Sequence, residues 1–207
     1  MTQLNKYIEQ IIKERTTSIT IETLKILDEV DKISGWLISD EIMLLHNLAK
    51  DIDGFVVEIG SWKGKSSVAI ASALNEGMLH CIDTFEGSEE HIEHNILELF
   101  INNIKKYEDK ILYIKEKSKD AVNEFEDNLI DMLFIDGSHE YEDVKNDLNL
   151  YFEKVKSDGI ILVHDTATND SKGWEGPTKA VNEFIENNKT KIKEVCEIVS
   201  ITCFRKV

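Results

Sequence analysis

The sequence predicts an α/β protein: a doubly wound, mostly parallel seven-stranded sheet preceded by an N-terminal helical extension. Three observations lead there. From residue 55 onward, short apolar segments alternate with helical ones, the pattern of a parallel sheet with helices on both faces. The first apolar segment runs into a loop bounded by Gly60 and Gly64 and then into a helix. Nearly every apolar segment ends in a polar or acidic residue, as expected where strands open onto a ligand crevice at their carboxyl ends.

Residues 1–50 read as helices only. Leu4, Tyr7, Ile8, Ile11 and Ile12 follow the spacing of one apolar helix face. Ile21, Leu24 and Leu27 mark a second, short helix. Ser39 looks like an N-cap, with Asp40 and Glu41 in the first turn and Ile42, Leu45 and Leu48 facing inward. An uncovered apolar face must be buried by something, so residues 1–50 are expected to act as a lid or a dimerisation element, giving a homodimer through these helices. Residues 51–207 then form the ligand-binding domain.

Strands are expected at 55–59, 78–82, 111–114, 130–135 and 159–163. Two more, 193–198 and 201–204, have only Val199 and Ser200 between them and suit an antiparallel hairpin at the sheet edge. The Ala-rich stretch Ser66 to Leu74 is expected to be helical. Val144, Leu148, Tyr151 and Val155 mark one face of another helix.

The 207 residues suit one ordinary domain with extensions, long enough to bury a core without disulfide or metal. Acids number 40 against 24 bases, a formal charge of −16, which argues against nucleic acid and against an anionic membrane surface as partners. Apolar runs such as Ile160 to Val163 are too short to span a bilayer. Met1 to Gln10 lacks a basic end followed by an apolar core, so no signal peptide is expected. Cys81, Cys196 and Cys203 show no Cys-x-x-Cys spacing. A reducing cytoplasm is therefore expected rather than a disulfide framework or a zinc knuckle.

The chemistry is expected just after the strands. Gly60 and Gly64 permit a tight turn and close approach of backbone to ligand. Ser66 opens the next helix, whose N–H groups can receive a carboxylate. A dinucleotide fingerprint places a second glycine where Trp62 stands, and a bulky side chain is hard to reconcile with a pyrophosphate packed on the backbone. Asp83, 23 residues after Gly60, lies where doubly wound folds hold a ribose diol. The pocket thus suits a ribose without a pyrophosphate. S-adenosylmethionine meets both conditions, and as a net cation it suits a rim carrying Glu58 and Asp83. Glu58 could instead be a cap or pair with Lys63 or Lys65.

Three segments carry a family resemblance: Val56-Val-Glu-Ile-Gly-Ser-Trp-Lys-Gly-Lys-Ser66, Cys81-Ile-Asp-Thr-Phe-Glu-Gly87 and Asp131-Met-Leu-Phe-Ile-Asp-Gly-Ser-His-Glu-Tyr141, the last followed by Gly159-Ile-Ile-Leu-Val-His-Asp165. Over roughly residues 35–206 the sequence resembles the class I S-adenosylmethionine-dependent methyltransferases, a Rossmann-like fold. Within them it is similar to the subgroup around macrocin O-methyltransferase and the cephalosporin-cluster methyltransferases, and more distantly to catechol O-methyltransferase. The resemblance implies that Glu58, Gly60, Ser61, Asp83 and Ser118 contact the cofactor, although Glu116-Lys117 stands where Gly-Asp usually precedes Ser118. It also implies that Asp136, His139 and Asp165 form the reaction end, with Asp136 facing the cofactor as well. In that wider group a divalent metal often binds at the ends of the fourth and fifth strands, where relatives often have an acid in place of His164.

The same residues make chemical sense unaided. Adjacent strands lie about 4.8 Å apart, so Asp136 and Asp165 on neighbouring strands would reach one ion. Two carboxylates, a histidine (His164) and water suit Mg²⁺ or another divalent cation such as Mn²⁺. His139, three residues past Asp136, is the expected general base. Asp136 could otherwise be a plain helix cap, and His139 or His164 a structural histidine. His91 and His94, amid Glu89, Glu90 and Glu93, read as a solvated acidic face rather than a metal pair. Trp174, in the polar loop Thr166 to Gly176, could line the acceptor pocket or anchor the loop. The expected activity is methyl transfer to a hydroxyl of a small acceptor, with a sugar or glycoside suggested by the subgroup. A non-catalytic S-adenosylmethionine-binding or scaffold protein and an NAD-dependent oxidoreductase are the competing readings.

Overall fold

A computed structural model describes residues 21–87, 94–166 and 173–207. The apolar face built on Leu4, Ile8 and Ile11, and with it the proposed dimerisation surface, lies outside those residues, as does His91. His94 is described and exposed.

Two helices, α1 (Ile21–Val30) and α2 (Ser39–Ala49), precede the sheet. There follow β1 (Phe55–Ile59), α3 (Lys65–Ala71), β2 (Met78–Ile82), α4 (Ile96–Ile104), β3 (Ile111–Ile114), the single turn α5 (Ser118–Ala121), β4 (Ile130–Ile135), α6 (Tyr141–Phe152), β5 (Val155–Val163), α7 (Glu175–Asn187), β6 (Ile192–Ile198) and β7 (Ile201–Lys206). The seven strands run in the order β3-β2-β1-β4-β5-β7-β6. The first five are mutually parallel, and β7 pairs antiparallel with both β5 and β6. Strand order reverses between β1 and β4, and their carboxyl ends flank the crevice where such sheets bind ligands.

Strand residues alternate between two apolar layers. Val56, Leu79, Cys81, Phe134 and Leu162 meet residues of α1–α4, among them Ile26, Ile42, Leu45 and Ile70. Val57, Ile59, Leu133, Ile135 and Ile161 face the other way, onto Leu148, Tyr151, Val181 and Phe184. Residues 21–49 thus share the core of the sheet.

Two expectations change. Ser39 is the first helical residue of α2 rather than its cap, which is Ile38. The Ile38 N–H is taken instead by the Glu41 carboxylate at 3.1 Å. Val155 lies in β5 and not on α6, which stops at Phe152. It pairs with Ile130, and the ladder resumes at Met132 with Ile160 after an irregularity. Val155 does join the same apolar layer as Val144, Leu148 and Tyr151. Helical spacing therefore predicted its burial correctly and its element wrongly.

Candidate active site

The carboxyl ends of β1–β5 open into one cavity of about 980 Å³. Its donor half is built around the glycine loop. Gly60 has φ +88°, and its N–H donates to the Ile82 carbonyl at 2.8 Å, tying the loop to β2. Asp83 accepts the Trp62 N–H on one carboxylate oxygen at 2.7 Å and the Phe85 N–H on the other at 2.6 Å. Burial pushes its pKa up, against these hydrogen bonds. An ionised carboxylate has about four acceptor sites, so Asp83 can still accept from a diol. Trp62 stacks on Trp36, centroids 4.6 Å apart. Ser61 lines the cavity, while its hydroxyl oxygen is buried on the Glu58 side of the loop without an aligned hydrogen bond.

On the far wall the Ser118 hydroxyl donates to Asp147 of α6. Burial pushes the Asp147 carboxyl up to about 6, against the Ser118 bond.

At the other end of the cavity, side chains from five parts of the chain meet. His164, at the end of β5, is buried, and its Nδ1 lies 2.9 Å from Asp136 Oδ1 and 3.2 Å from Asp165 Oδ2. That nitrogen makes an aligned hydrogen bond to neither. His164 Nε2 lies 3.5 Å from Glu41 Oε2 and 3.3 Å from Ser200 Oγ. His139 Nε2 lies 3.1 Å from Asp165 Oδ2, and its ring stacks on Trp174 at 4.3 Å with a 6° interplanar angle. Burial alone would lower the His164 pKa, but the surrounding carboxylates, Asp136 first, raise it far above its ordinary value. Burial pushes Asp136 up, partly offset by His164. For Asp165, the hydrogen bond with His139 and the close approach of His164 outweigh burial and hold it well below the usual carboxylate range. Asp165 is therefore ionised and can only accept, so His139 must donate Nε2–H to it.

Among the expected site residues, Gly60, Ser61, Ser66, Asp83, Ser118, Asp136, His139, His164 and Asp165 line this one cavity, as does Trp174. Glu58 and Gly64 do not. Glu58 is fully buried beneath the loop, where it accepts from the Ser67 hydroxyl and the Cys81 thiol, and burial raises its pKa. Strand alternation explains this: Glu58 follows Val56 onto the α3 side of the sheet. A Cβ on Gly64 would point at Phe100 and Ile104 of α4. Sequence reasoning missed Glu41, Ser200, Asp147 and Trp36, which also line the cavity. Glu41 carried a faint signal, an acid in a helix first turn whose inner face is otherwise apolar. Trp62, Phe85 and Asp165 have positive φ, as do five other non-glycine residues among those described.

Eight cavity-lining carboxylates face three lysines, so the field favours a cationic ligand.

A family model described as "Methyltransferase domain" matches residues 57–166. The chain is 34% identical over 131 residues to protein R132 of Acanthamoeba polyphaga mimivirus, covering 59% of this chain and 57% of that protein. It is 28% identical over 121 residues to protein y4gI of Sinorhizobium fredii, covering 54% of this chain and 13% of that protein. The matched stretch is thus less than two thirds of either relative. The O-methyltransferase TomG of Streptomyces achromogenes, solved with S-adenosylmethionine, superposes with a TM-score of 0.65 at 14% identity over the whole of both chains. At that identity the fold is what is shared. Among the described residues no helix is long and apolar enough to cross a membrane. By its sequence match and its sheet order, the chain belongs to the methyltransferase-domain family and has the class I S-adenosylmethionine-dependent methyltransferase fold.

Proposed function

We propose that the protein transfers a methyl group from S-adenosylmethionine to a hydroxyl of a small acceptor. One observation carries this reading. A ribose-suited end (Asp83, Ser61) and a proton-accepting end (Asp136, His139, Asp165) share one acidic cavity, and the donor is a net cation. Asp83 would take the ribose diol. The glycine loop at Ser61 and the first turn of α3 at Ser66 would take the donor's amino-acid end. Ser118 and Asp147 would meet the base. Trp62 fills the position a dinucleotide loop keeps for glycine, which speaks against NAD.

His139 would take the acceptor proton, its ring fixed by Asp165 and by the Trp174 stack. A positioned base of this kind is worth about 10²–10⁴ in rate. Holding the acceptor oxygen in line with the methyl group supplies more, potentially about 7–11 kcal/mol. Trp174 and Trp36 at the mouth give the flat apolar contact that a sugar or glycoside acceptor would use. The acceptor class rests on subgroup resemblance and on these two side chains.

The residues at the strand ends fit a divalent cation. Asp136, His164 and Asp165 each offer one donor atom, all within 4.8 Å of one another. The His164 Nδ1 lies 2.9 Å from Asp136 Oδ1 and 3.2 Å from Asp165 Oδ2, close enough for the three side chains to hold one ion. A mixed imidazole and carboxylate set suits Mn²⁺ or Zn²⁺ better than Mg²⁺, which prefers oxygen. A bound cation would acidify and orient the acceptor hydroxyl.

The test is methyl transfer from labelled S-adenosylmethionine to a panel of sugars, glycosides and phenols, with and without Mn²⁺. Turnover on one class that vanishes in His139→Ala is expected. Donor binding with no turnover on any acceptor would favour a non-catalytic role.

A further inference from the structure

We propose that Glu41 is a positioning residue for the reaction centre: it accepts the Nε2–H of His164 and so leaves Nδ1 as the donor that completes the Asp136–Asp165 cation site. The proposal rests on the cation reading above. Glu41 belongs to α2, outside the residues 57–166 that define the family match, and is only 2% exposed.

Its two carboxylate oxygens are fully committed. Oε2 takes the Ile38 N–H at 3.1 Å and faces His164 Nε2 at 3.5 Å. Oε1 takes the Ser200 hydroxyl at 2.5 Å and the Ser200 N–H at 3.3 Å. Burying a carboxylate is costly unless it is paired, and His164 is its one ion-pair partner among the described residues. An apolar residue would fill the same space with no such cost, and such replacements are often neutral or stabilising. Helix capping alone would explain the Ile38 contact and leave the other three unexplained.

The contacts also lock the ring of His164. The turn between β6 and β7 brings Ser200 to within 3.3 Å of Nε2, and the Thr166 N–H holds the Ser200 carbonyl at 2.9 Å. Nε2 therefore meets a carboxylate and a hydroxyl, while Nδ1, buried and without an aligned hydrogen bond, sits between Asp136 and Asp165. Metal-bound imidazoles commonly donate their far N–H to a carboxylate, which fixes ring orientation and tautomer. Glu41 stands 3.5 Å from His164 Nε2 and is joined to it through the Ser200 hydroxyl, from the helical segment that precedes the sheet.

The experiment measures Mn²⁺ affinity by electron paramagnetic resonance and S-adenosylhomocysteine affinity by calorimetry, in the full chain. Glu41→Ala is expected to weaken Mn²⁺ binding about 10- to 100-fold and to leave metal-free S-adenosylhomocysteine affinity within about twofold. Glu41→Gln is expected to recover part of the loss, because its amide oxygen can accept the same N–H. Independently of any variant, the long-range ¹H–¹⁵N imidazole spectrum of the Zn²⁺-loaded wild-type protein should show His164 protonated on Nε2 alone. That spectrum decides the matter if Glu41→Ala does not fold. Equal Mn²⁺ affinity in wild type and Glu41→Ala, or a proton on Nδ1 in the loaded protein, overturns the assignment alone. A wild-type protein that binds neither ion overturns the cation reading and the assignment together, while S-adenosylhomocysteine binding reports separately on the methyltransferase reading.

Discussion

A methyl group on Gly60 would stand 2.1 Å from the carbonyl oxygen of Asp136. The donor loop after β1 and the reaction loop after β4 are therefore in backbone contact, locked further by the Asp136 N–H to the Ile59 carbonyl at 2.8 Å. Gly60 also holds φ +88°, where a Cβ is strained. Gly60→Ala is expected to destabilise the fold by about 1–3 kcal/mol and to weaken S-adenosylhomocysteine binding. Urea denaturation and calorimetry on one preparation check both effects, and loss of neither would contradict the contact.

Asp83 holds the glycine loop and is the proposed ribose ligand. Asp83→Asn turns an amide NH₂ toward one of the two loop N–H groups that the carboxylate now accepts. Hydrogen bonds to charged groups are worth about 1.5–3 kcal/mol, so S-adenosylhomocysteine affinity should fall about 10- to 150-fold. Calorimetry at constant salt reads the change.

Asp147 gives a pH signature away from the reaction centre. Burial raises its pKa from 3.8 to about 6, so over that interval the folded state binds the proton more tightly than the unfolded state. Its destabilising effect is absent below about pH 4, grows as pH rises, and is complete above about pH 6. At one pKa unit per 1.36 kcal/mol, the upper bound is about 3 kcal/mol. Asp147→Asn keeps an oxygen for the Ser118 hydroxyl and removes the charge. It should be more stable than wild type at pH 8 and equal to it at pH 4, as measured by urea melts.

Much of this was legible in the sequence because it follows from local pattern. The strand ends at Ile59, Ile82, Ile135 and Val163 are where apolar runs stop, and the residues after them meet in one cavity. Glu58 was misplaced because its type suggested a rim acid, while strand alternation sends it under α3 beside Ser67. Val155 obeyed helical spacing only because a two-residue break after α6 returns the chain to the same apolar layer. Glu41, Ser200 and Asp147 were invisible for another reason. Glu41 and Ser200 are 159 positions apart and touch only once the sheet closes, and the face of α6 carrying Asp147 is set by packing.

His139→Ala should lower turnover about 10²–10⁴-fold with S-adenosylhomocysteine affinity unchanged, because the residue faces the acceptor. Trp174→Ala removes the ring stacked on His139 and should raise the acceptor KM more than it lowers kcat. Steady-state kinetics on the best acceptor of the panel separate the two.

The central claim is that the acidic cavity grips a methyl donor, and calorimetric titration of the purified chain with S-adenosylhomocysteine, alongside NAD, tests it most directly. One-site saturable binding of S-adenosylhomocysteine, weakened in Asp83→Asn, and no binding of NAD are expected. Binding of NAD with none of S-adenosylhomocysteine, with or without a divalent cation, would contradict it.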